Sequence, residues 1–271
     1  MSSEKITFSF GRNWHDFVHA SLSDERVREA EHSLAAFLGT TDLKGRTFLD
    51  IGCGSGLFSL AAYRLGAAKI VSFDLDPFSV ACCQYLRERE GSPLQWSVTS
   101  GSILDESFVR SLESADIVYA WGVLHHTGSM WRAIGNAIGL VRPGGVLFIA
   151  IYNKVDGVLG SQSWLNLKRA YNSAPRWFKA FIEYGFLLLV ITKMLLTLRN
   201  PIREIRGYKK KRGMSFRTDI RDSLGGYPYE YASAGEIFRF CHTMGLQLEK
   251  LRTVSDLGLN EFLFSSPVQK A

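Results

Sequence analysis

Cysteine and proline are scarce in this sequence, and it has no apolar run of transmembrane length. Its 271 residues include four cysteines and seven prolines. Cys53, Cys82, Cys83 and Cys241 lack metal-ligand spacing, so no metal site is predicted, and free thiols of this kind are typical of a reducing compartment. The N-terminus MSSEKITFSFGRNWHDF has no basic start followed by an apolar run of signal-peptide length. We expect a cytoplasmic protein.

Net positive charge is confined to one segment. The net charge is +6, yet residues 199–217 alone hold eight basic residues against one acid. The rest of the chain is therefore close to neutral. The basic character is a local feature and says nothing about the whole surface.

Strand and helix patterns alternate along most of the chain. Residues 16–38 predict a helix, and the stretches RTFLDI, KIVSFDLD, LQWSVTSGSI, ADIVYAWG and VLFIAIYN predict buried strands with helices between them. Near the end, SAGEIFRFCHTMG predicts a helix, and LQLEKLRTV and NEFLFSS predict two more strands. This order predicts an α/β fold with a doubly wound, mostly parallel seven-stranded sheet and helices on both faces.

The alternation breaks for nearly eighty residues after the fifth strand, and this break sets the expected domain organisation. Residues 1–153 and 232–271 should form the core, with 1–40 as an N-terminal helical lid. Residues 154–231, rich in aromatic, aliphatic and basic residues, should form a largely helical insertion that caps the site. Ligands of such sheets bind at the carboxyl ends of the strands.

The stretch FLDIGCGSGLF places three glycines after the first strand. Gly52, Gly54 and Gly56 are spaced G-x-G-x-G, whereas the dinucleotide fingerprint G-x-G-x-x-G has its last glycine where Leu57 stands. Asp50, at the mouth of the loop, would repel a pyrophosphate and attract an amino group. Taken alone, the loop is also consistent with a purely structural turn.

A second acid, Asp74, ends the second strand. A carboxylate at this point can accept hydrogen bonds from both ribose hydroxyls. The alternative, a surface acid or a helix cap, suits Asp76 better. Asp50 and Asp74 together predict a site for a nucleoside whose tail carries an amine in place of phosphates.

The motif D-x-G-x-G-x-G, followed by VSFDLD, GSILD, WGVLHHTG and VRPGGVLFIAIYN, resembles the class I, Rossmann-like S-adenosylmethionine-dependent methyltransferases. It is similar in particular to the ubiquinone-biosynthesis-type small-molecule methyltransferases. The resemblance spans about residues 47–153 and resumes after 232. It implies S-adenosyl-L-methionine as cofactor and S-adenosyl-L-homocysteine as product. It also implies that the following residues bind the cofactor: Asp50, Gly52, Cys53, Gly54, Gly56, Asp74, Leu75, Ser102 and Ile103.

The resemblance also implies which residue binds which part of the cofactor. Asp50 and the backbone of the glycine loop would hold the methionine part, and Asp74 the ribose. Leu75, Ser102 and Ile103 would line the adenine. Many relatives have an acid where Ser102 stands, so the serine departs from the family pattern.

Two tryptophans are further candidates for the cofactor site. FGxNW near the N-terminus, with WGVLHHTG, IAIYN and GGYPYE, resembles a less characterised bacterial branch of the family. The resemblance implies that Trp14 folds over the cofactor as part of a lid, and a core anchor for the first helix is the alternative. Trp121 ends the fourth strand, where an aromatic ring can flank the sulfonium or the adenine, or belong to the core.

His125 and His126 follow the fourth strand directly, where the methyl acceptor would lie. Histidine titrates in the range needed for a general base. In the ubiquinone-biosynthesis O-methyltransferases, which this region resembles, the dipeptide is commonly Glu-His, which favours His126 as the base and leaves His125 in place of a carboxylate sometimes proposed as a metal ligand. The alternative is a turn in which both rings satisfy backbone groups. Candidates for contact with the acceptor are Tyr152, Asn153, Tyr227, Tyr229 and Glu230.

These residues predict methyl transfer to a small, fairly apolar molecule, and a histidine base favours O-methylation of a phenol or enol. Methylation of an amine or thiol without general-base dependence is the alternative. A cofactor-binding scaffold without chemistry is another, although the intact loop argues against it.

The insertion contains YGFLLLVITKMLLTL, residues 184–198, next to the basic segment. As a helix this stretch is roughly 22 Å long, shorter than the ~30 Å core of a bilayer, so a transmembrane span is not expected. We favour a hydrophobic cap over the acceptor or a homodimer contact, with peripheral membrane contact through residues 184–217 as the alternative. No nucleic-acid partner is expected, because no aromatic-studded basic sheet or known RNA-binding module is present.

Overall fold

The computed structural model describes residues 22–198, 200–205 and 216–268. Seven strands form a single sheet in the order β3-β2-β1-β4-β5-β7-β6. Strands β1 to β5 pair in parallel, and β7 runs antiparallel to both of its neighbours. The predicted fold is confirmed. The strands are β1 (Thr47–Ile51), β2 (Lys69–Asp74), β3 (Trp96–Ser100), β4 (Ala115–Trp121), β5 (Val141–Tyr152), β6 (Gln247–Arg252) and β7 (Leu259–Ser265).

Helices connect the strands and cover both faces of the sheet, and a short 3-10 turn at Leu124–His126 follows β4. A further helical stretch covers residues 201–205. The labelled helices are α1 (Asp24–Leu38), α2 (Leu57–Arg64), α3 (Pro77–Arg89), α4 (Glu106–Ser111), α5 (Met130–Gly139), α6 (Ser161–Ser173), α7 (Arg176–Leu196), α8 (Phe216–Gly225) and α9 (Ala234–Thr243).

Two apolar clusters lie on opposite faces of the sheet. Residues of α1, α2 and α3 pack on one face, and residues of α5 and α9 pack on the other. Side chains alternate along β1, so Phe48 belongs to the first cluster and Leu49 to the second. This double cover explains why the strands read as nearly continuous apolar runs.

The first described helix begins later than its apolar pattern indicates. Ser23 caps α1 by accepting a hydrogen bond from the Arg26 N–H at 3.4 Å, and residues 16–21 lie outside the described residues. Val27, Leu34 and Phe37 of this helix are buried in the core, where the Phe37 ring stacks on Phe148 at 4.1 Å. Helix α1 is thus a layer of the core. The lid was predicted over residues 1–40, of which 1–21 lie outside the described residues.

Strand β5 begins five residues earlier than the apolar run VLFIAIYN. Val141 already pairs with Ala115, and the register then shifts before Ile117 pairs with Val146. The RPGG sequence, residues 142–145, therefore forms an irregularity within β5, with Gly144 at φ 77°.

The segment between β5 and α9 is helical, with α6, α7 and α8 packed around their own small cluster of buried Tyr171, Ile220 and Leu224. Its two ends lie side by side. Asn153 forms an isolated bridge with Ala232, and the Ala232 N–H donates to the Tyr152 carbonyl at 3.1 Å.

Candidate functional site

The glycine loop after β1 turns sharply through left-handed backbone conformations. Gly52, Gly54 and Gly56 have φ values of 69°, 53° and 78°, which favour glycine over residues with a side chain. Space is equally restrictive, because a Cβ on Gly52 would lie 2.2 Å from Val123 Cγ2 and one on Gly56 would lie 2.7 Å from the Cα of Cys83. The loop therefore packs directly against the chain that follows β4.

Four N–H groups of this loop donate to other groups of the protein, although the resemblance implies that the loop backbone holds the methionine part of the cofactor. Gly52 and Cys53 both donate to the Phe73 carbonyl, at 2.8 and 3.0 Å, and Gly56 donates to the Cys53 carbonyl at 2.8 Å. Gly54 donates to Asp74 Oδ2 at 3.0 Å. The groups of the loop region that can still bind a ligand are mainly hydrogen-bond acceptors, the carboxylates at the edge of the loop. Acceptors of this kind suit an amine.

Asp50 lies at the end of a chain of buried hydrogen bonds that crosses three strands. The indole N–H of Trp96 donates to Ser72 Oγ at 3.0 Å, the Ser72 and Ser59 hydroxyls are 2.7 Å apart, and Ser59 Oγ donates to Asp50 Oδ2 at 2.5 Å. Because Ser59 donates its single hydroxyl proton to Asp50, Ser72 has to donate to Ser59, and the hydroxyl protons of both serines point toward Asp50. This relay fixes one carboxylate oxygen.

The pKa of Asp50 is raised to about 7. Burial has the largest effect, the Ser59 hydrogen bond lowers the pKa, and the nearby charge of Asp74 raises it. The carboxyl group is 2% exposed. A cation placed against it would favour the ionised form and lower this pKa. The site is thus built to gain from a positively charged ligand.

Asp74 receives a backbone N–H on each oxygen. Besides the bond from Gly54 to Oδ2, the Asp76 N–H donates to Oδ1 at 2.9 Å. Each oxygen keeps a second lone pair, so two hydroxyls can still donate to the carboxylate. The pKa of Asp74 is raised by burial in spite of these bonds. Asp76 caps α3 through the Phe78 N–H.

Three residues predicted to line the adenine follow β2 and β3. Leu75 is 41% exposed and Ile103 is buried. The Ser102 hydroxyl accepts a hydrogen bond from the Leu104 N–H at 3.1 Å, and the Ile103 carbonyl accepts one from Asn136 at 2.7 Å. These bonds fix the loop after β3.

Of the two tryptophan candidates, only Trp121 is among the described residues. Trp14 lies outside the described residues. The indole N–H of Trp121 donates to Glu261 Oε1 on β7 at 2.8 Å, so the ring is directed across β5, away from β1 and the glycine loop.

The two adjacent histidines have different surroundings. His125 is buried, with its ring 4.2 Å from Tyr152, and Nδ1 has no hydrogen-bond partner among the described residues. His126 is half-buried, and its Nδ1 lies 2.6 Å from the Pro228 carbonyl oxygen. Because a carbonyl can only accept, the proton of the neutral ring is on Nδ1, and Nε2 keeps a lone pair.

Both histidine pKa values are lowered, in each case mainly by burial. That of His125 lies well below its ordinary value, and that of His126 falls to about 4. The charge of Lys168 lowers both further, and the Pro228 carbonyl acts in the opposite direction on His126. Each ring is therefore neutral at pH 7.

Aromatic side chains from distant parts of the chain surround these rings. Tyr152 lies 5.6 Å from His126 and 4.8 Å from Tyr229, measured between ring centroids. Four of the residues predicted from sequence, His125, His126, Tyr152 and Tyr229, thus come together in one cluster. Burial raises the pKa of Tyr229.

Lys168 of α6 was not predicted, and it belongs to the same cluster. Its ammonium group lies 5.1 Å from the centre of the Tyr229 ring and 5.5 Å from that of Trp164, and it donates to the Ser223 carbonyl. Ser161, Trp164, Lys168 and Tyr171 share one face of a helix, so periodicity would have placed this lysine on the inward face.

Other predicted acceptor contacts have structural partners. Asn153 donates to the carbonyls of Val254 and Asp256 and accepts from Asn260, at 3.0 to 3.1 Å, so its amide anchors a loop. Both Glu230 carboxylate oxygens accept from the Met130 N–H. Tyr227 is partly buried and precedes Pro228.

Within the described ranges, no group of three His, Cys, Asp or Glu side chains could hold a metal ion. In the same part of the chain, no helix combines the length and apolarity needed to cross a membrane. Helix α7 is longer than the 15 residues expected and includes four charged residues.

Comparison with known proteins identifies the family. A family model described as "Methyltransferase domain" matches residues 23–187, more than half of the chain. A ubiquinone biosynthesis O-methyltransferase of Methylobacterium sp. (strain 4-46) is 32% identical over 140 residues, which cover 52% of this chain and 54% of that protein. A ribosomal protein L11 methyltransferase of Tolumonas auensis is 34% identical over 127 residues, 47% of this chain and 39% of that protein.

Solved structures share the fold across nearly the whole chain. The magnesium protoporphyrin IX methyltransferase of Synechocystis PCC 6803, solved with bound S-adenosylhomocysteine, superposes with a TM-score of 0.55 at 13% identity, covering 94% of this chain and 93% of that one. At this identity the likeness concerns the fold alone. The chain spans about half the length, or less, of the two curated relatives. The chain belongs to the methyltransferase domain family, and its seven-stranded sheet has the Rossmann-like fold expected from the sequence.

Proposed function

We propose that the protein transfers a methyl group from S-adenosylmethionine to a hydroxyl oxygen of a small, largely apolar phenol or enol. His126 is the general base in this proposal. The observation that supports it most is the 2.6 Å contact between His126 Nδ1 and the Pro228 carbonyl, because it fixes the proton of the neutral ring on Nδ1 and makes Nε2 the basic nitrogen.

The glycine loop and its two carboxylates fit the cofactor. Asp50 is positioned to accept from the amino group of the methionine part, and Asp74 from the ribose hydroxyls. Loss of a proton from Asp50 accompanies binding, since its pKa of about 7 falls beside a cation.

The cofactor supplies a methyl group on a sulfonium, which is already highly activated. The protein has to align the acceptor, exclude water and remove one proton. His126 Nε2 takes the hydroxyl proton as the oxygen attacks. The developing negative charge of the acceptor raises the pKa of His126 from about 4, since an adjacent anion favours the imidazolium.

Tyr152 and Tyr229 supply the apolar, aromatic surroundings of the acceptor next to His126. The insertion closes this cluster from outside, because Lys168 of α6 lies over the Tyr229 ring. We propose that residues 154–231 form the cap that selects the acceptor. Residues 22–153 and 232–268 then hold the donor.

Replacement of His126 tests the general base. His126→Ala should lower the rate for an oxygen acceptor by about 10² to 10⁴, with S-adenosylhomocysteine binding unchanged in calorimetry. His126→Asn keeps a donor for the Pro228 carbonyl and should lose as much activity. The rate is read as release of S-adenosylhomocysteine, in a screen of phenols, enols, amines and thiols.

His242→Ala, on the exposed side of α9, is the matched control and should keep full activity. A loss below tenfold in both His126 variants would defeat the role of the base and favour an amine or thiol acceptor. A protein that binds the donor but releases no product with any acceptor class is a scaffold, which contradicts the proposed reaction.

A further inference from the structure

One face of α7 is apolar and exposed over its whole length. Trp177, Phe181, Tyr184, Leu188, Leu189 and Leu195 are all between 58% and 74% exposed. Trp177, Phe181, Tyr184, Leu188 and Leu195 follow one another at spacings of three, four or seven residues and form a stripe, and Leu189 lies beside it. We call these six residues the outward face of α7.

The charged residues Lys179 and Glu183 point away from the outward face. Glu183 is buried and accepts hydrogen bonds from Tyr171 at 2.9 Å and Arg221 at 3.0 Å. The Lys179 ammonium lies 5.4 Å from the centre of the Tyr171 ring. Both side chains therefore turn toward α6 and α8, and neither places its charge on the outward face.

The opposite face of α7 fixes the helix in place. Ile182, Phe186 and Leu187 pack against the cluster formed by Tyr171 and Leu224. The helix is therefore packed on one face, and its outward face is exposed while the helix is held in place.

The outward face is larger than the single exposed apolar residues that any protein surface carries. From Trp177 to Leu195 the stripe is about 27 Å long at 1.5 Å per residue. A continuous apolar surface of this length marks an interaction site.

The chemistry of the surroundings indicates which partner covers this face. Trp177 and Tyr184 are side chains that favour the interface between lipid and water. The chain that follows α7, residues 199–217, holds eight basic residues and one acid, which attract anionic headgroups at about 1 kcal/mol per residue near the surface. Since no described helix qualifies as a membrane span, α7 would lie along the surface.

We propose that the outward face of α7 binds the surface of an anionic lipid membrane, with the helix in the interfacial plane and its apolar side chains inserted. This proposal does not depend on which atom the enzyme methylates. The membrane would contact the outer side of the cap, whereas the proposed acceptor cluster lies on its inner side.

Flotation of the full-length protein with vesicles tests the proposal. Vesicles of phosphatidylcholine with about one third phosphatidylglycerol should carry the protein at low salt, and pure phosphatidylcholine vesicles should carry at least about tenfold less. Phe181→Asp and Leu188→Asp should each reduce binding to the anionic vesicles by about tenfold or more. Leu94→Asp, which changes another leucine that is 98% exposed, should bind as the wild type does.

Far-UV circular dichroism and S-adenosylhomocysteine binding show that the variants are folded. Three results would overturn the proposal. One is no binding to anionic vesicles at low salt, and the second is equal binding to both kinds of vesicle. The third is a wild-type dimer in sedimentation velocity that Leu188→Asp converts to a monomer, without any vesicle binding.

Discussion

The carboxyl group of Asp50 shows how a buried hydrogen-bond relay sets the properties of one residue. Its position on β1 gives it no contact with bulk water, and Ser59 holds one of its oxygens. Burial prevails over that hydrogen bond, so the pKa rises to about 7. Asp50 therefore changes its charge near neutral pH, which links the stability of the protein to pH.

Asp50→Asn should change the pH dependence of stability. Between the ordinary pKa of an aspartate and about 7, the folded protein binds one more proton at Asp50 than the unfolded chain does. The stabilisation from this proton is complete below the ordinary pKa and is lost as the pH rises through about 7. The free energy of unfolding of Asp50→Asn, relative to wild type, should therefore increase by about 3 kcal/mol from pH 5 to pH 8.

Urea unfolding of the ligand-free protein at several pH values measures this difference. Asp156→Asn, at an exposed site, should show the same pH dependence as the wild type. A constant offset between Asp50→Asn and wild type across this range would mean that Asp50 is ionised throughout.

At the scale of residues, spacing was sufficient to predict the sharp glycine loop and its two carboxylates but not what surrounds them. Asp50, Asp74 and the glycines follow a fixed motif because backbone geometry and ligand chemistry require them. Ser59, Ser72 and Trp96 carry no such signal, since each looks like an ordinary residue of its helix or strand. Their role appears only when β1, β2 and β3 are placed side by side.

At the scale of elements, helix α5 depends on a residue far along the chain. Ser129 precedes this helix without capping it through its side chain. Glu230 does so instead, since both of its oxygens lie within 3.1 Å of the Met130 N–H, and a carboxylate there also interacts favourably with the helix dipole. The same residue donates its own N–H to the His125 carbonyl at 2.9 Å, so one cap joins the return from the insertion to the histidine turn.

Glu230→Ala should destabilise the protein by about 1 to 2 kcal/mol through loss of this cap. Urea unfolding gives the loss, and hydrogen exchange of the amides at 130–133 should become faster than in the wild type. Glu88→Ala, at an exposed position of α3, should change stability by less than about 0.5 kcal/mol. Unchanged exchange at Met130 would show that another group caps the helix.

Element order was predictable and element ends were less so. The periodicity of each strand and helix follows from burial, which the sequence records directly. The early start of β5 depends on the pairing of Val141 with Ala115, and the capping of α5 depends on Glu230. Both are contacts between residues distant in sequence, and no local pattern reports them.

At the scale of the whole molecule, burial is unevenly distributed. Two large clusters hold the sheet between its helices, whereas α6, α7 and α8 share a cluster with three fully buried side chains. Because local opening costs less where fewer apolar side chains are buried, the insertion should open more readily than the sheet.

Hydrogen exchange followed by mass spectrometry should therefore show faster exchange in α6, α7 and α8 than in β1, β4 and β5. The expected gap is about 2 kcal/mol or more in opening free energy. S-adenosylhomocysteine should slow exchange in the glycine loop more than in α7. Equal protection of the insertion and the central strands would show that they open as one unit.

The pairing of the two ends of the insertion has an evolutionary consequence. Tyr152 and Ala232 are joined by a hydrogen bond of 3.1 Å, and Asn153 bridges to Ala232. The two ends of the core are therefore paired with each other at the point where the insertion begins and ends. A shorter, longer or unrelated segment can be exchanged at this junction by recombination while the sheet keeps its register. Under the proposed division of roles, new methyl acceptors can thus be acquired by replacing one contiguous piece of the gene, and the part proposed to bind the donor is inherited unchanged.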